Sequence, residues 1–176
     1  MRKVVLYIAM SLDGYIADEH GNVDWLNGQD MSVENMDTYS VFVQYVDTVI
    51  MGWDTYEQIA TKLSPTEWVY ANLTSYVVTH RKITSPNSII FTEKAPSNLV
   101  KELRAKEGKD IWLCGGANIV QQLIQTDLID EYYISVIPTI LGSGIRLFGT
   151  APDEIKLKLI STQAYNGIVE LVYARR

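Results

Sequence analysis

The run Ile111-Trp112-Leu113-Cys114-Gly115-Gly116-Ala117-Asn118-Ile119-Val120 decides how this chain is read. Four apolar residues, two glycines and an apolar-periodic segment follow one another. That order describes a buried strand turning sharply into a helix. Glycine has no Cβ, so a ligand can approach the backbone closely at such a turn. The helix opens with unpaired N–H groups and the positive end of its dipole, which together favour an anion such as a phosphate or pyrophosphate. Taken alone, a Gly-Gly turn suits any tight strand-to-helix junction, and the rest of the chain has to decide.

The bulk properties narrow the choice. A length of 176 residues suits one domain, 1–176, with a substantial core. The net charge of −6 argues against a nucleic-acid partner or an anionic membrane surface, so any bound anion must be held locally. Arg2-Lys3 followed by Val4 to Leu12 begins like a signal peptide, but Asp13-Gly14 ends the run early and no cleavage site follows. No apolar run is long enough to span a bilayer. Cys114 is the only cysteine, which excludes an intrachain disulfide and fits a cytoplasmic location. Its apolar neighbours suggest a buried, inert thiol.

Strands and helices alternate over the first two-thirds of the chain. Val4–Met10, Thr48–Met51, Tyr76–Thr79, Ser88–Phe91, the opening run and Tyr132–Ile137 read as strands. Helices are expected over Ser32–Val46 with Ser32 as N-cap, over Thr55–Leu63, over Ser97–Glu107 and after Gly116. Residues 18–30 read as an ordered surface loop. Lys156–Leu159 and Glu170–Tyr173 then alternate on either side of Asn166-Gly167, a strong hairpin signal. The expected architecture is therefore α/β: three layers, a mixed and mostly parallel central sheet, helices on both faces and a C-terminal antiparallel hairpin.

In open α/β sheets, ligands bind outside the carboxyl ends of the strands. Those ends here carry Asp13-Gly14, Gly52-Trp53-Asp54-Thr55, Thr79-His80-Arg81-Lys82 and Gly115-Gly116. Two glycine turns leading into helices, with a cationic cluster nearby, match the diphosphate and extra phosphate of a dinucleotide such as NADP. No G-x-G-x-x-G follows the first strand, no P-loop is present, and Gly142-Ser143-Gly144 lacks the spacing of a hydrolase elbow. His20 and His80 are the only histidines and lie far apart, so no metal site is expected.

These motifs, with Ser11 to Ala17, Met51 to Glu57, Val78 to Arg81, Gly115 to Ala117 and Leu128 to Gly144 in this order, resemble the dihydrofolate-reductase-like superfamily. The most similar branch is that of the reductase domain of the bifunctional riboflavin-biosynthesis deaminase-reductase. The resemblance implies NADPH along the strand ends and hydride transfer to a small pyrimidine- or pterin-like substrate. Carried over by position, Ala9, Ile16 and Ala17 would border the nicotinamide. Gly52, Trp53 and Thr55 would cradle the pyrophosphate, and Thr79, His80 and Arg81 would hold the adenosine ribose and its 2′-phosphate. Gly115, Gly116, Ala117 and Asn118 would pass under the pyrophosphate and nicotinamide ribose. Asp13 matches an acidic residue thought to orient the substrate or supply a proton. Trp53 stands where the family often has a basic residue, which leaves the preference for NADP to His80 and Arg81.

Plainer readings accompany each of these. Asp13-Gly14 also suits a hairpin turn, His80-Arg81-Lys82 a solvated turn, and Trp53 a packing anchor. Neither Glu34 nor Asp37 sits in a motif that would grip a pterin. Two functions follow: an NADPH-dependent reductase, or a non-catalytic NADPH- or pterin-binding protein of the same fold. Relatives suggest a homodimer, for which the apolar hairpin offers a surface.

Overall fold

Val4–Ser11 (β1) lies in the middle of the main sheet between two parallel partners, Asp110–Gly115 (β6) and Glu131–Ile137 (β7). A strand covered on both faces has no reason to alternate, which is why its sequence is almost continuously apolar. In the computed structural model, which describes residues 1–84, 88–150 and 153–176, three further parallel strands extend the sheet beyond β6. They are Val46–Gly52 (β3), Thr74–Val78 (β4) and Ile89–Thr92 (β5). On the other side, Ile168–Arg175 (β10) and Leu157–Tyr165 (β9) follow β7. The order is β5-β4-β3-β6-β1-β7-β10-β9. β10 runs antiparallel to both its neighbours, and the other pairings of this sheet are parallel. Tyr15–Ala17 (β2) and Ile145–Arg146 (β8) form a separate antiparallel pair. The mixed, mostly parallel α/β sheet with its C-terminal hairpin is thus present as the sequence implies.

Helices cover both faces. Pro96–Arg104 (α3) and Ala117–Gln125 (α4) bury Leu99, Val100, Leu103, Ile119, Val120 and Leu123 against Val4, Leu6, Ile50 and Leu113. The opposite face packs Val5, Val49, Met51, Val77 and Trp112 under Phe42, Ile59 and Leu73. There the Tyr7 and Phe42 rings stack with centroids 4.2 Å apart, and Trp112 meets Phe42 edge-on. The buried Arg2 ties the start of β1 to its surroundings. It pairs with Asp47 and donates to Thr48 Oγ1 at 2.6 Å and to the Lys109 carbonyl at 2.5 Å.

The helix expected over Ser32–Val46 is a correction. Only Tyr39–Phe42 (α1) is α-helical, continued by a 3-10 turn at Val43–Tyr45, and strand β3 already begins at Val46. Side chains that would cap or continue the helix are engaged elsewhere. The Ser32 hydroxyl donates to Asp30 Oδ1 at 2.7 Å rather than capping, and Val33 and Met36 are exposed. Such local bonds compete directly with helical ones. The hairpin turn also holds this stretch in place: Asn166 Nδ2 donates to the Asp30 carbonyl at 3.0 Å and to Asn35 Oδ1 at 2.8 Å. Asn166 and Gly167 both take positive φ, at 44° and 77°, as a two-residue hairpin loop of this kind requires.

Smaller shifts have similar causes. The helix after Gly52 is Trp53–Gln58 (α2), relaxing into a π turn at Ile59–Leu63. α3 starts at Pro96 rather than after Ser97, because proline at the first position gives up no needed N–H.

Leu6 is wholly buried at the centre of the sheet, whereas Leu159 on the edge strand β9 is 49% exposed. Leu6→Ala is expected to lower stability by about 3 kcal/mol, and Leu159→Ala by less than about 0.5 kcal/mol. Urea denaturation of the two variants measures both.

Candidate functional site

Because β1, β3 and β6 are parallel neighbours or near neighbours, their carboxyl ends meet along one edge of the sheet. A cleft of about 1350 Å³ opens there. Ala9, Ile16, Ala17, Gly52, Trp53, Thr55, Gly115, Gly116, Ala117 and Asn118 all line it. Thr79 and Arg81 line a neighbouring hollow of about 430 Å³, together with Lys82, Phe91, Thr92 and Glu93. His80 is exposed and lines neither space. The main cleft exceeds the roughly 300–1,000 Å³ of an ordinary small-ligand site.

Two helices begin in this cleft, α2 after Gly52 and α4 after Gly116, and neither start has a side-chain cap. Their first N–H groups therefore face the cleft without a side chain to satisfy them. The glycines are needed for two separate reasons. Gly115 has φ of +132°, which side-chain-bearing residues rarely adopt. A Cβ on Gly116 would lie 3.2 Å from Thr55 Oγ1, and one on Gly52 would lie 3.2 Å from Ile119 Cγ1. The Gly115–Gly116 peptide is cis. A side chain at Gly116 would press on the start of α2, and one at Gly52 on the start of α4.

Trp53 and Arg81 join the cleft to the smaller hollow. The Arg81 guanidinium sits 4.5 Å from the Trp53 ring centroid, and the ring packs on Tyr56 and Phe91. Trp53 Nε1 is buried and has no hydrogen-bond partner among the described residues. A buried indole N–H normally finds an acceptor, so this one is a donor in waiting. Thr79 is buried and its hydroxyl accepts from the Arg81 backbone N–H at 3.1 Å, fixing the turn that presents Arg81.

The family model of the RibD C-terminal domain matches residues 2–170. The chain belongs to the RibD C-terminal domain family. Among curated proteins it is 42% identical to the uncharacterized protein YwjB of Bacillus subtilis over 99% of this chain and 98% of that one. It is 25% identical to riboflavin biosynthesis protein RibD of Haemophilus influenzae, over 88% of this chain and 52% of that longer protein. A provisionally named riboflavin biosynthesis protein from Shewanella sp. PV-4 superposes with a TM-score of 0.84 at 26% identity, over 99% of both chains. Dihydrofolate reductase from Enterococcus faecalis, solved with NADP(H), superposes at 0.67 with 15% identity over 98% of this chain and 96% of that one, which shows a shared fold.

In this member of the RibD C-terminal domain family, Asp13 is committed to local structure. It accepts from the Ser11 hydroxyl at 2.6 Å, from the Gly142 N–H at 2.8 Å and from the Leu141 N–H at 3.1 Å. The Ser11 hydroxyl first, and then those backbone donors, hold its carboxyl down at about 2. A group so acidic has no proton to give near neutral pH. It also is not among the residues that line the cleft. Asp13 instead pins the 141–142 segment, which leads into β8 and brings Arg146 to the cleft rim, 4.7 Å over the Tyr15 ring.

Arg146 is a site cation that the sequence does not announce, since only the distant pairing of β8 with β2 puts it there. Tyr70 is a second cleft residue that the sequence does not announce, reached through the long connection between α2 and β4. Its hydroxyl lies 3.9 Å from Cys114 Sγ on the cleft floor. Burial raises the Cys114 thiol to about 12, in keeping with an inert side chain.

Three measurements check these assignments. Gly116→Ala should cost roughly 1–3 kcal/mol, and Thr55→Ala, by removing the opposing hydroxyl, should restore most of that in the double variant. For Asp13, a carboxyl near 2 in the folded protein against about 3.9 unfolded stabilises the fold above pH 4 and loses that contribution as pH falls towards 2. Stability of Asp13→Asn should therefore be flatter than that of the parent between pH 4 and 2. An NMR titration of Ser11→Ala should show the Asp13 carboxyl rising towards its ordinary value.

Proposed function

We propose that this protein is an NADPH-dependent reductase that transfers a hydride to a small heterocycle of the pyrimidine or pterin type. The observation that carries the reading is the convergence of two uncapped helix starts, at Gly52 and Gly116, on one cleft beside a hollow edged by Arg81. Membership of a family of reductase domains supports it. The residues present suit a dinucleotide on physical grounds. Gly116 and Gly52 leave space that a Cβ would fill, Trp53 Nε1 is an unused donor, and Arg81 and Lys82 offer cations outside the main cleft.

On this reading the backbone N–H groups after Gly52 and Gly116 bind the diphosphate, with Thr55 between them. Arg81 takes the 2′-phosphate and the Trp53 face takes the adenine. Ala9, Ile16 and Ala17 form the wall against which the nicotinamide lies, with Ala117 and Asn118 near its ribose. When bound, NADPH supplies the hydride. The protein's part is alignment, exclusion of water and orientation of the acceptor. Asp13 acts as a positioning residue for the rim, since its acidity leaves the proton to come from solvent or from the substrate itself. A cytoplasmic location and a homodimer belong to the same reading. A non-catalytic binding protein is the second reading, and it is favoured by Asp13, which lies outside the cleft lining and stays ionised near neutral pH.

Thermal shift with NADPH and NADH tests the cofactor, because a ligand that binds only the native state raises the melting temperature. NADPH is expected to stabilise the protein and NADH to do so less. Arg81→Ala should weaken NADPH at least about tenfold, as loss of a charge-assisted contact implies, with a smaller effect on NADH. Equal effects on the two would remove Arg81 from the 2′-phosphate. Loss of absorbance at 340 nm with a panel of pterins and aminopyrimidines separates turnover from binding. Asp13→Asn should leave NADPH affinity nearly intact and lower turnover.

A further inference from the structure

The Arg81 guanidinium rests on a ring rather than on an acid. It lies over Trp53, 4.5 Å from the ring centroid, and belongs to none of the five ion pairs among the described residues. Glu93 lines the same hollow, yet the two do not pair. A guanidinium is planar and weakly hydrated, which lets it settle against an aromatic face. The ring beneath it packs on Tyr56, with centroids 5.3 Å apart, and on Phe91 at 6.3 Å. Arg81 itself is exposed, and what is fixed is its backbone, whose N–H donates to Thr79 Oγ1 at 3.1 Å. A packed platform therefore carries a long side chain that can leave it.

The consequence concerns the two spaces that meet here. Trp53 lines the cleft and Arg81 lines the hollow. An adenine stacked on Trp53 in the cleft needs the ring face that the guanidinium covers, so an arriving dinucleotide has to displace it. Breaking a cation–π contact at a half-exposed site lowers affinity by about two- to fivefold. A dinucleotide with a free 2′-hydroxyl has no charge with which to hold the displaced cation. One with a 2′-phosphate takes it up in a charge-assisted pair, and Lys82 in the same hollow adds a second positive charge. A ligand shifts such an equilibrium only by its differential affinity for the two arrangements, and the 2′-phosphate supplies that difference.

We propose that Arg81, held on Trp53, selects the cofactor by exclusion as well as by attraction: it occupies the adenine platform against NADH and yields it to NADPH. This rests on the reductase reading above and adds how that site chooses between the two dinucleotides. Arg81 then has effects of opposite sign on the two ligands, and Trp53 is the residue that makes the exclusion possible.

The test uses the full chain and Arg81→Ala, a change at an exposed side chain. Isothermal titration should show NADH binding the variant at least about twofold more tightly than the parent, while NADPH binds at least about tenfold more weakly. NADH affinity that is unchanged or lower in the variant overturns the proposal. Trp53→Leu removes the platform and the resting place together, so Arg81→Ala in that background should leave NADH affinity unchanged. A gain there as large as in the parent background overturns the proposal as well. NMR of the unsubstituted protein keeps the test independent of both variants. The Arg81 side-chain N–H signal should carry the ring-current shift of an indole face in the free protein and lose it on saturation with NADPH. A signal that lacks the shift, or keeps it with NADPH bound, overturns the proposal. NADPH binding without the NADH gain removes this device alone, whereas a parent that binds neither dinucleotide removes the reductase reading and the device with it.

Discussion

The constraint on which the cleft depends is the close approach of the starts of α2 and α4, where Thr55 Oγ1 sits 3.2 Å from the position a Gly116 side chain would need. Much else follows from that crowding. It draws the amino ends of α2 and α4 together, so that two sets of unsatisfied N–H groups share one cleft instead of facing separate patches of solvent. It leaves Ile119 close over Gly52, which couples the α3–α4 face of the core to the same point. A ligand lying over this junction would meet backbone dipoles held by packing in both layers, and such groups need no rearrangement to engage an anion.

The rim of the cleft is held by weaker means. Asp13 gathers the 141–142 segment through two backbone N–H bonds, and Asn166 gathers the loop around Asp30 and Asn35. Both devices join stretches far apart in sequence through a single side chain. Such bonds to loops are individually worth about 1 kcal/mol, so the rim is the part most easily reshaped while the sheet stays intact.

The sheet and its edge motifs were legible because they depend on local facts. Unbroken apolar runs marked the buried strands, the Asn166-Gly167 pair marked the hairpin, and the glycine turns marked the helix starts. What escaped was set by distant pairing. Val33, Met36, Tyr39, Val43 and Val46 carry a helical period, but Asp30, Asn35 and Asn166 hold the first part of that segment in another shape. Arg146 reaches the rim only because β8 finds β2. Glu170 is one polar residue of an alternating strand in the sequence, and its buried place beside Ser135 comes from the β7–β10 register. Asp13 was legible as a special position, and its three hydrogen bonds, which no spacing rule displays, make it an anchor for the rim.

The central place of β1 also bears on how the protein is made. Its two neighbours in the sheet are β6 and β7, and β10, with Glu170, joins only beyond β7. During synthesis β1 leaves the ribosome with both edges unpaired until Asp110–Gly115 has followed it. Pairing across such separations is slow, because chain entropy is lost before any contact rewards it. The middle of the sheet is therefore assembled late, and the β9–β10 hairpin after it. A nascent chain halted before β10 would have its glycine turns and both helix starts while β7 still lacked its antiparallel partner.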